Sequence, residues 1–324
     1  MDSILQNLLD GVLIHKEQPY VIYFRYQKHI YESSNGLGKV DPKEVNFRLA
    51  SVTKQFIAYT IIDLVNKGKL SFDTKISAIY PSFPPFFESI TIQNLLSHTS
   101  GIYDYEDFLE EKYQDHQLQD EDILVFLEET DGTYFTPGSK YRYSNTAYIL
   151  LGLIITKITG ERLEDYIPKI IFNPLDMTTS VVNIEGKTKI KTRALGHILV
   201  NGVITTRDQY WCSATIGDGG LYSNINDLIK WLNFLKENES HLKDTMFKKQ
   251  ISTDGKNSYY GMGMRIIELD NNTIYTHSGS TIGTNTLIAF SPKLDFELIF
   301  LTNLGPTSTE HLKENLYQLL KQKG

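Results

Sequence analysis

Phe47-Arg48-Leu49-Ala50-Ser51-Val52-Thr53-Lys54 decides how this chain is read, because it sets a hydroxyl and an amine three residues apart where a helix begins. Apolar residues recur at helical period through Phe56, Ile57, Thr60, Ile61, Leu64 and Val65, and Gly68 supplies a stop, which predicts a helix from Ser51 to Lys67. Residues three apart on a helix share a face, with about 5–6 Å between Cβ atoms, so the Lys54 amine can reach the Ser51 hydroxyl. A serine is a poor nucleophile until a base takes its proton. A lysine can be that base when burial or nearby cations disfavour its ammonium form. The start of a helix also presents unpaired N–H groups to developing negative charge. Taken singly, the spacing fits a capping serine beside a solvated lysine equally well.

Two further constellations lie downstream. Tyr143-Ser144-Asn145 follows Pro137-Gly138 and precedes a helix predicted over Asn145 to Thr159. In extended backbone, residues two apart project to one side, so Tyr143 and Asn145 face one cavity while Ser144 turns away. A phenol can accept and return a proton, and an amide can donate to a bound carbonyl while holding a lysine. His277-Ser278-Gly279 falls on a predicted strand, where alternation puts His277 and Gly279 on one face. The glycine lets a substrate backbone come close. The histidine, charging near a pKa of about 6.5, donates a hydrogen bond or meets a carboxylate. A packed tyrosine beside a capping asparagine, and a packed histidine, are the bland alternatives for these two segments.

Outward from these motifs, Tyr20 to Tyr26 and His29 to Ser33 read as paired strands after an amphipathic helix over Met1 to Lys16. From Leu70 to about Gly196 the chain carries short helical stretches, among them Ile92 to Leu96, Tyr105 to Tyr113, Glu121 to Glu129 and Arg162 to Phe172, broken by prolines. Strands then return over Tyr259 to Leu269, Thr273 to His277, Thr284 to Phe290 and Phe296 to Asn303, with helices over Ser223 to Glu237 and Ser308 to Gln322. Strands at both ends around a helical middle predict an α/β (α+β) fold. Residues 1–70 and 195–324 form a discontinuous sheet domain flanked by helices, and 71–194 an inserted all-helical domain.

Composition excludes several function classes. The chain has 324 residues, 41% hydrophobic and 22% charged, with a net charge of −7, which describes a folded protein rather than a disordered one. Its mild acidity, with no Lys/Arg-rich block, speaks against a nucleic-acid partner. One cysteine, Cys212, rules out an internal disulfide and a Cys-ligated zinc site. The histidines show no H-E-x-x-H or comparable pairing. No apolar run approaches the ~18 residues of a membrane span, and no leader pattern opens the chain, which reads as cytoplasmic. Nothing sets an oligomeric state.

S-x-x-K, Y-S-N and H-S-G occur in the order in which serine β-lactamases and penicillin-binding proteins carry their three motifs. The chain resembles that superfamily, specifically its class C-like branch with DD-peptidases, D-aminopeptidases and esterases. The likeness extends through Leu95-Leu96-Ser97-His98-Thr99-Ser100-Gly101-Ile102, Tyr143 to Gly152, Gly217-Asp218-Gly219-Gly220-Leu221-Tyr222-Ser223 and Tyr260-Gly261-Met262-Gly263, spanning about Val45 to Gly283. It implies a β-lactamase/transpeptidase-like fold and a serine acyl hydrolase that acts on small molecules or short peptides without a cofactor. Ser51 is then the nucleophile, with Lys54 and Tyr143 sharing proton transfer, and either can be the base. Asn145 orients the substrate amide, and His277 contacts a carboxylate or the tyrosine. The strand at Gly279 lies beside the substrate, and the backbone N–H groups of Ser51 and Ser280 form the oxyanion hole. His98 is implied to hold the Ser-Gly turn that follows it.

The chain departs from the branch in several places. His277 stands where class C β-lactamases have lysine, which favours D-peptidase or esterase activity over a dedicated β-lactamase. Asp176 stands where relatives usually show glycine, and Thr284 follows Gly283 where an aromatic is common, which widens the pocket. No segment resembles the acidic deacylation loop of class A enzymes. The rival reading is a relative that binds penicillins or peptides and is acylated without turnover.

Overall fold

Tyr20–Tyr26 is apolar at almost every position, and the computed structural model, which describes residues 2–113 and 116–323, shows both faces of its sheet covered. Tyr20, Ile22 and Phe24 pack with Leu298, Phe300, Leu287 and Ala289 on one face, while Val21, Tyr23, Ile299, Leu301, Ile288 and Phe290 lie on the other. That is the two-residue alternation of a strand, with an apolar residue at both phases. Among the described residues, eight antiparallel strands form the main sheet. Their order is His29–Asn35, Tyr20–Tyr26, Phe296–Thr302, Thr284–Ser291, Asn272–Thr281, Arg265–Leu269, Ser258–Tyr260 and Ile251–Ser252. Tyr20 pairs with Thr302 and Tyr26 with Phe296, so the two ends of the chain meet in one ladder.

Helices Ser3–Leu9 and Thr309–Lys323 cover the first face through Leu5, Leu8, Leu312 and Leu316. The first helix is shorter than its sequence pattern predicts. It stops at Leu9 because Asp10 is extended, at φ −60° and ψ 127°, and the chain turns toward the sheet; Met1 lies outside the described residues. Helices Thr53–Asn66 and Ile225–Glu237 cover the second face, where the Trp231 ring stacks on Phe56 at 4.5 Å and its N–H donates to Gln55 Oε1 at 2.9 Å. The same apolar cluster continues through Leu95, Leu96, Tyr148 and Ile154, so sheet and helical middle share one core.

Ile92–Leu96 and Asn145–Thr159 are helical as the sequence predicts. Ser144 caps the second by accepting from Ala147 N at 3.1 Å, and Gly160 ends it at φ +71°. Tyr105 to Tyr113 differs from expectation: it forms two 3₁₀ turns, Tyr105–Asp107 and Glu110–Tyr113. Tyr105 N donates outward to Thr146 Oγ1 at 2.8 Å, which ties the first turn to the Asn145 helix rather than to a helix of its own. Asp176 has φ +54°, a left-handed conformation that favours glycine and that aspartate tolerates better than most residues.

Candidate active site

The Ser51 segment leaves the sheet at Leu49, passes through a 3₁₀ turn at Ala50–Val52 and enters the Thr53–Asn66 helix. Ala50 is left-handed at φ +46°, a conformation a side-chain-bearing residue holds only when its surroundings fix it. Leu49 supplies that restraint: its N–H donates to Leu221 O at 2.8 Å, and its carbonyl accepts from Thr286 Oγ1 at 2.9 Å. Ser51 is thereby presented one turn before Lys54, whose Nζ lies 3.2 Å from Ser51 Oγ.

Lys54 is completely buried, and its amine also donates to Asn145 Oδ1 at 2.7 Å and to the Asp218 carbonyl at 2.8 Å. Both of those oxygens can only accept. A neutral amine must therefore spend N–H groups on them and can turn its lone pair to the Ser51 hydroxyl. Burial lowers the Lys54 pKa to about 8, against the opposing pull of Asp218, Glu106 and Asp104. The loop that carries the Asp218 carbonyl is held close to the Asn145 helix at Gly217, where a Cβ would stand 2.4 Å from Tyr148 O.

Tyr143 and Asn145 do converge on this amine, which sits 5.0 Å from the centre of the Tyr143 ring. The Tyr143 hydroxyl is buried and makes no hydrogen bond within ordinary limits. Burial drives its pKa far up, and the nearby Ser51 hydroxyl and Arg265 oppose that rise. His98 positions the segment instead of holding the Ser-Gly turn. Its Nδ1 accepts from Ser144 N at 3.1 Å, its carbonyl accepts from Arg142 N at 3.0 Å, and its ring lies 4.3 Å from that of Tyr143.

The third motif differs most from its sequence reading. His277 is on the Asn272–Thr281 strand but only 2% exposed, and neither ring nitrogen is free for a carboxylate. Nδ1 lies 2.7 Å from the Ser278 carbonyl, which can only accept, so Nδ1 carries the proton; Nε2 then accepts from the Tyr260 hydroxyl at 3.0 Å. Burial, with Arg265 and Lys54 nearby, holds its pKa well below 6.5, so the ring is neutral rather than a carboxylate-facing cation. Gly279 also has another cause: a Cβ there would stand 2.2 Å from Leu49 O and 3.0 Å from Ser51 N, so it makes room for the Ser51 segment itself. Ser280 is exposed on the strand beyond and lines the cleft with Ser51 and Asn145.

The buried histidine gives a stability prediction. With its folded pKa below 6.5, the unfolded chain binds the extra proton first, so the contribution of His277 is complete above pH 6.5 and falls as pH drops below it. The slope is about 1.4 kcal/mol per pH unit for one proton. Asp104, Glu106 and Asp120 have raised pKa values and act in the opposite sense. The difference between wild type and His277→Gln isolates the histidine: in thermal melts from pH 8 to 5, their stability gap is expected to narrow below pH 6.5. A pH-independent gap would contradict a neutral His277.

The motifs leave one group unannounced. Glu106 and Asp218 line the same cleft as Ser51, with Asp104 behind them, its Oδ2 accepting from Asn145 N at 2.5 Å. The Tyr105 hydroxyl donates to Asp218 Oδ2 at 2.9 Å. The only trace of this cluster in the sequence is the glycine-dense Gly217-Asp218-Gly219-Gly220 stretch, which marks a tightly packed loop without saying what it holds.

Known proteins share this fold. Penicillin-binding protein 4* of Bacillus subtilis (strain 168) is 30% identical over 274 residues, covering 79% of this chain; the chain in turn spans 60% of that protein's length. The solved penicillin-binding protein of Bacillus halodurans is 26% identical with a TM-score of 0.82, covering 98% of this chain and all of its own. D-amino acid amidase from Ochrobactrum anthropi SV3, at 22% identity, shares the fold with a TM-score of 0.82 over 100% of this chain and 99% of its own. The Beta-lactamase family matches residues 20–323, nearly the whole sheet-and-helix body around Ser51 and Lys54, and the chain belongs to that family, within the serine β-lactamase and penicillin-binding protein superfamily.

Proposed function

We propose that this chain is a serine acyl hydrolase that works through a covalent acyl-enzyme on amide or ester bonds of small D-amino-acid derivatives, short peptides or simple esters. The observation that carries the reading is the Lys54 amine 3.2 Å from Ser51 Oγ, its other donors committed to acceptor-only oxygens. Ser51 attacks the carbonyl, Lys54 takes its proton, and Tyr143 relays a proton to the leaving group. The N–H groups of Ser51 and Ser280 receive the oxyanion. Asn145 holds Lys54 and orients the substrate amide, with the strand at Gly279 and the neutral His277 forming the floor of the site.

A carboxylate close to the scissile bond is disfavoured here. The third motif offers no free cation, and the cleft lining sets two carboxylates, Glu106 and Asp218, against one guanidinium, Arg48, which donates to the Gly219 and Ser213 carbonyls. Uncharged esters and D-amino-acid amides, the class named for the amidase that shares this fold, suit the cleft better than penicillins.

Mixing the chain with p-nitrophenyl acetate is expected to give a burst of nitrophenol, an acetyl adduct in intact-mass spectra and continued turnover. Ser51→Ala loses burst and adduct alike. An adduct on that variant would place the nucleophile elsewhere. A fluorescent penicillin that labels Ser51 and never leaves, with no turnover of any ester or amide, would identify a binding relative instead.

A further inference from the structure

Release of the acyl group needs a base on the side from which water arrives. Lys54 is completely buried, and the Tyr143 hydroxyl is buried as well. Glu106 is different. It stands in the Tyr105–Asp107 turn, is exposed, and lines the same cleft as Ser51, Asn145 and Ser280. Its N–H donates to Asp104 Oδ1 at 3.3 Å, and the Tyr105 hydroxyl, while donating to Asp218 Oδ2, lies 3.4 Å from Glu106 Oε1. Beside it, Asp218 is only 7% exposed, and its Oδ1 is a buried acceptor without a partner.

From this placement we propose that Glu106 is the general base that activates the water releasing the acyl group from Ser51, a role that rests on the acyl-enzyme reading above. The water's O–H bond breaks, its proton passes to the Glu106 carboxylate, and its oxygen bonds to the acyl carbon. The tetrahedral intermediate collapses by breaking the bond from that carbon to Ser51 Oγ, which leaves with a proton from the Lys54 ammonium. Glu106 returns its proton to Lys54 through solvent, so one ester and one water become one acid and one serine.

The electrostatics suit that task. Although the residue is exposed, the cleft walls desolvate its carboxylate, and with Asp104 and Asp218 close by this raises the Glu106 pKa to about 7, while Lys54 and the Asn145 side chain pull it down. A base is most useful with its midpoint near the working pH. An anchor for a cationic substrate gains instead from staying ionised.

Glu106→Gln keeps the shape and removes the base. In stopped-flow assays with p-nitrophenyl acetate, its burst is expected to persist, no slower than in the wild type because losing the carboxylate lowers the Lys54 pKa further, followed by turnover slowed ~10²- to 10⁴-fold, with acetylated Ser51 accumulating in intact-mass spectra. Wild-type deacylation should fall as pH drops through about 7, a limb that Glu106→Gln lacks and Glu106→Asp partly restores. An acyl-enzyme lifetime unchanged in Glu106→Gln would overturn the proposal. So would a variant whose only defect is a raised KM for substrates bearing a free ammonium, which would make Glu106 an ion anchor. No burst and no adduct in the wild type would instead overturn the acyl-enzyme reading on which the proposal stands.

Discussion

Lys54→Met is expected to slow acylation by ~10²- to 10⁴-fold while the chain still folds, because the amine is the one group in direct contact with Ser51 Oγ that titrates near neutrality. With its pKa at about 8, roughly a tenth of the amine is neutral at pH 7, and that fraction rises through pH 8. Wild-type acylation should climb with it, and the climb should vanish in the variant. The stability sign follows from the same shift. The folded value lies below the ordinary 10.5, so between about 8 and 10.5 the unfolded chain binds the extra proton and this group's contribution rises with pH. At pH 7 the buried ammonium is a cost that methionine removes, set against the loss of hydrogen bonds to Asn145 and Asp218. Single-turnover acylation across pH 6 to 9, with thermal melts of both forms, tests this. A variant that acylates at near the wild-type rate would return Lys54 to a structural role.

Ser51 and Lys54 are legible because their relation is local: three residues on one helix fix the geometry whatever surrounds it. The paired strands and the Asn145–Thr159 helix are legible for a similar reason, since alternation and helical period are written along the chain. The state of His277 is not. Its neutrality depends on Tyr260 seventeen residues earlier and on burial beneath a guanidinium at Arg265, contacts that only the assembled sheet creates. Gly279 was readable as a close approach, but its partner, the Leu49 carbonyl, is more than two hundred residues away in sequence. Glu106 sits in the Tyr105 to Tyr113 stretch that reads as helical, and the hydrogen bond from Tyr105 N to Thr146 that takes its turn out of helical form leaves no mark on composition. Long-range polar contacts are therefore where the sequence reading of this site falls short, and they are also where its electrostatics are set.

Tyr143→Phe separates stability from activity more sharply than any other change at this site. The ring packs beside His98 at 4.3 Å and beside Lys54 at 5.0 Å, and phenylalanine keeps both contacts. What it removes is a buried hydroxyl without a hydrogen-bond partner in the protein. Such a group carries a desolvation penalty of about 1–3 kcal/mol, so its loss is expected to leave the melting temperature unchanged or to raise it. Activity should move the other way, by ~10²- to 10⁴-fold, because the oxygen facing Ser51 is the one proposed to pass a proton to the leaving group. The loss should be smaller for p-nitrophenyl acetate, whose leaving group departs as an anion, than for an amide, whose nitrogen must be protonated before it leaves. Comparing kcat/KM for an ester and a D-amino-acid amide in both forms therefore tests the role and not only the residue. Equal losses on the two substrates would remove Tyr143 from leaving-group protonation, and no loss on either would leave it as packing alone.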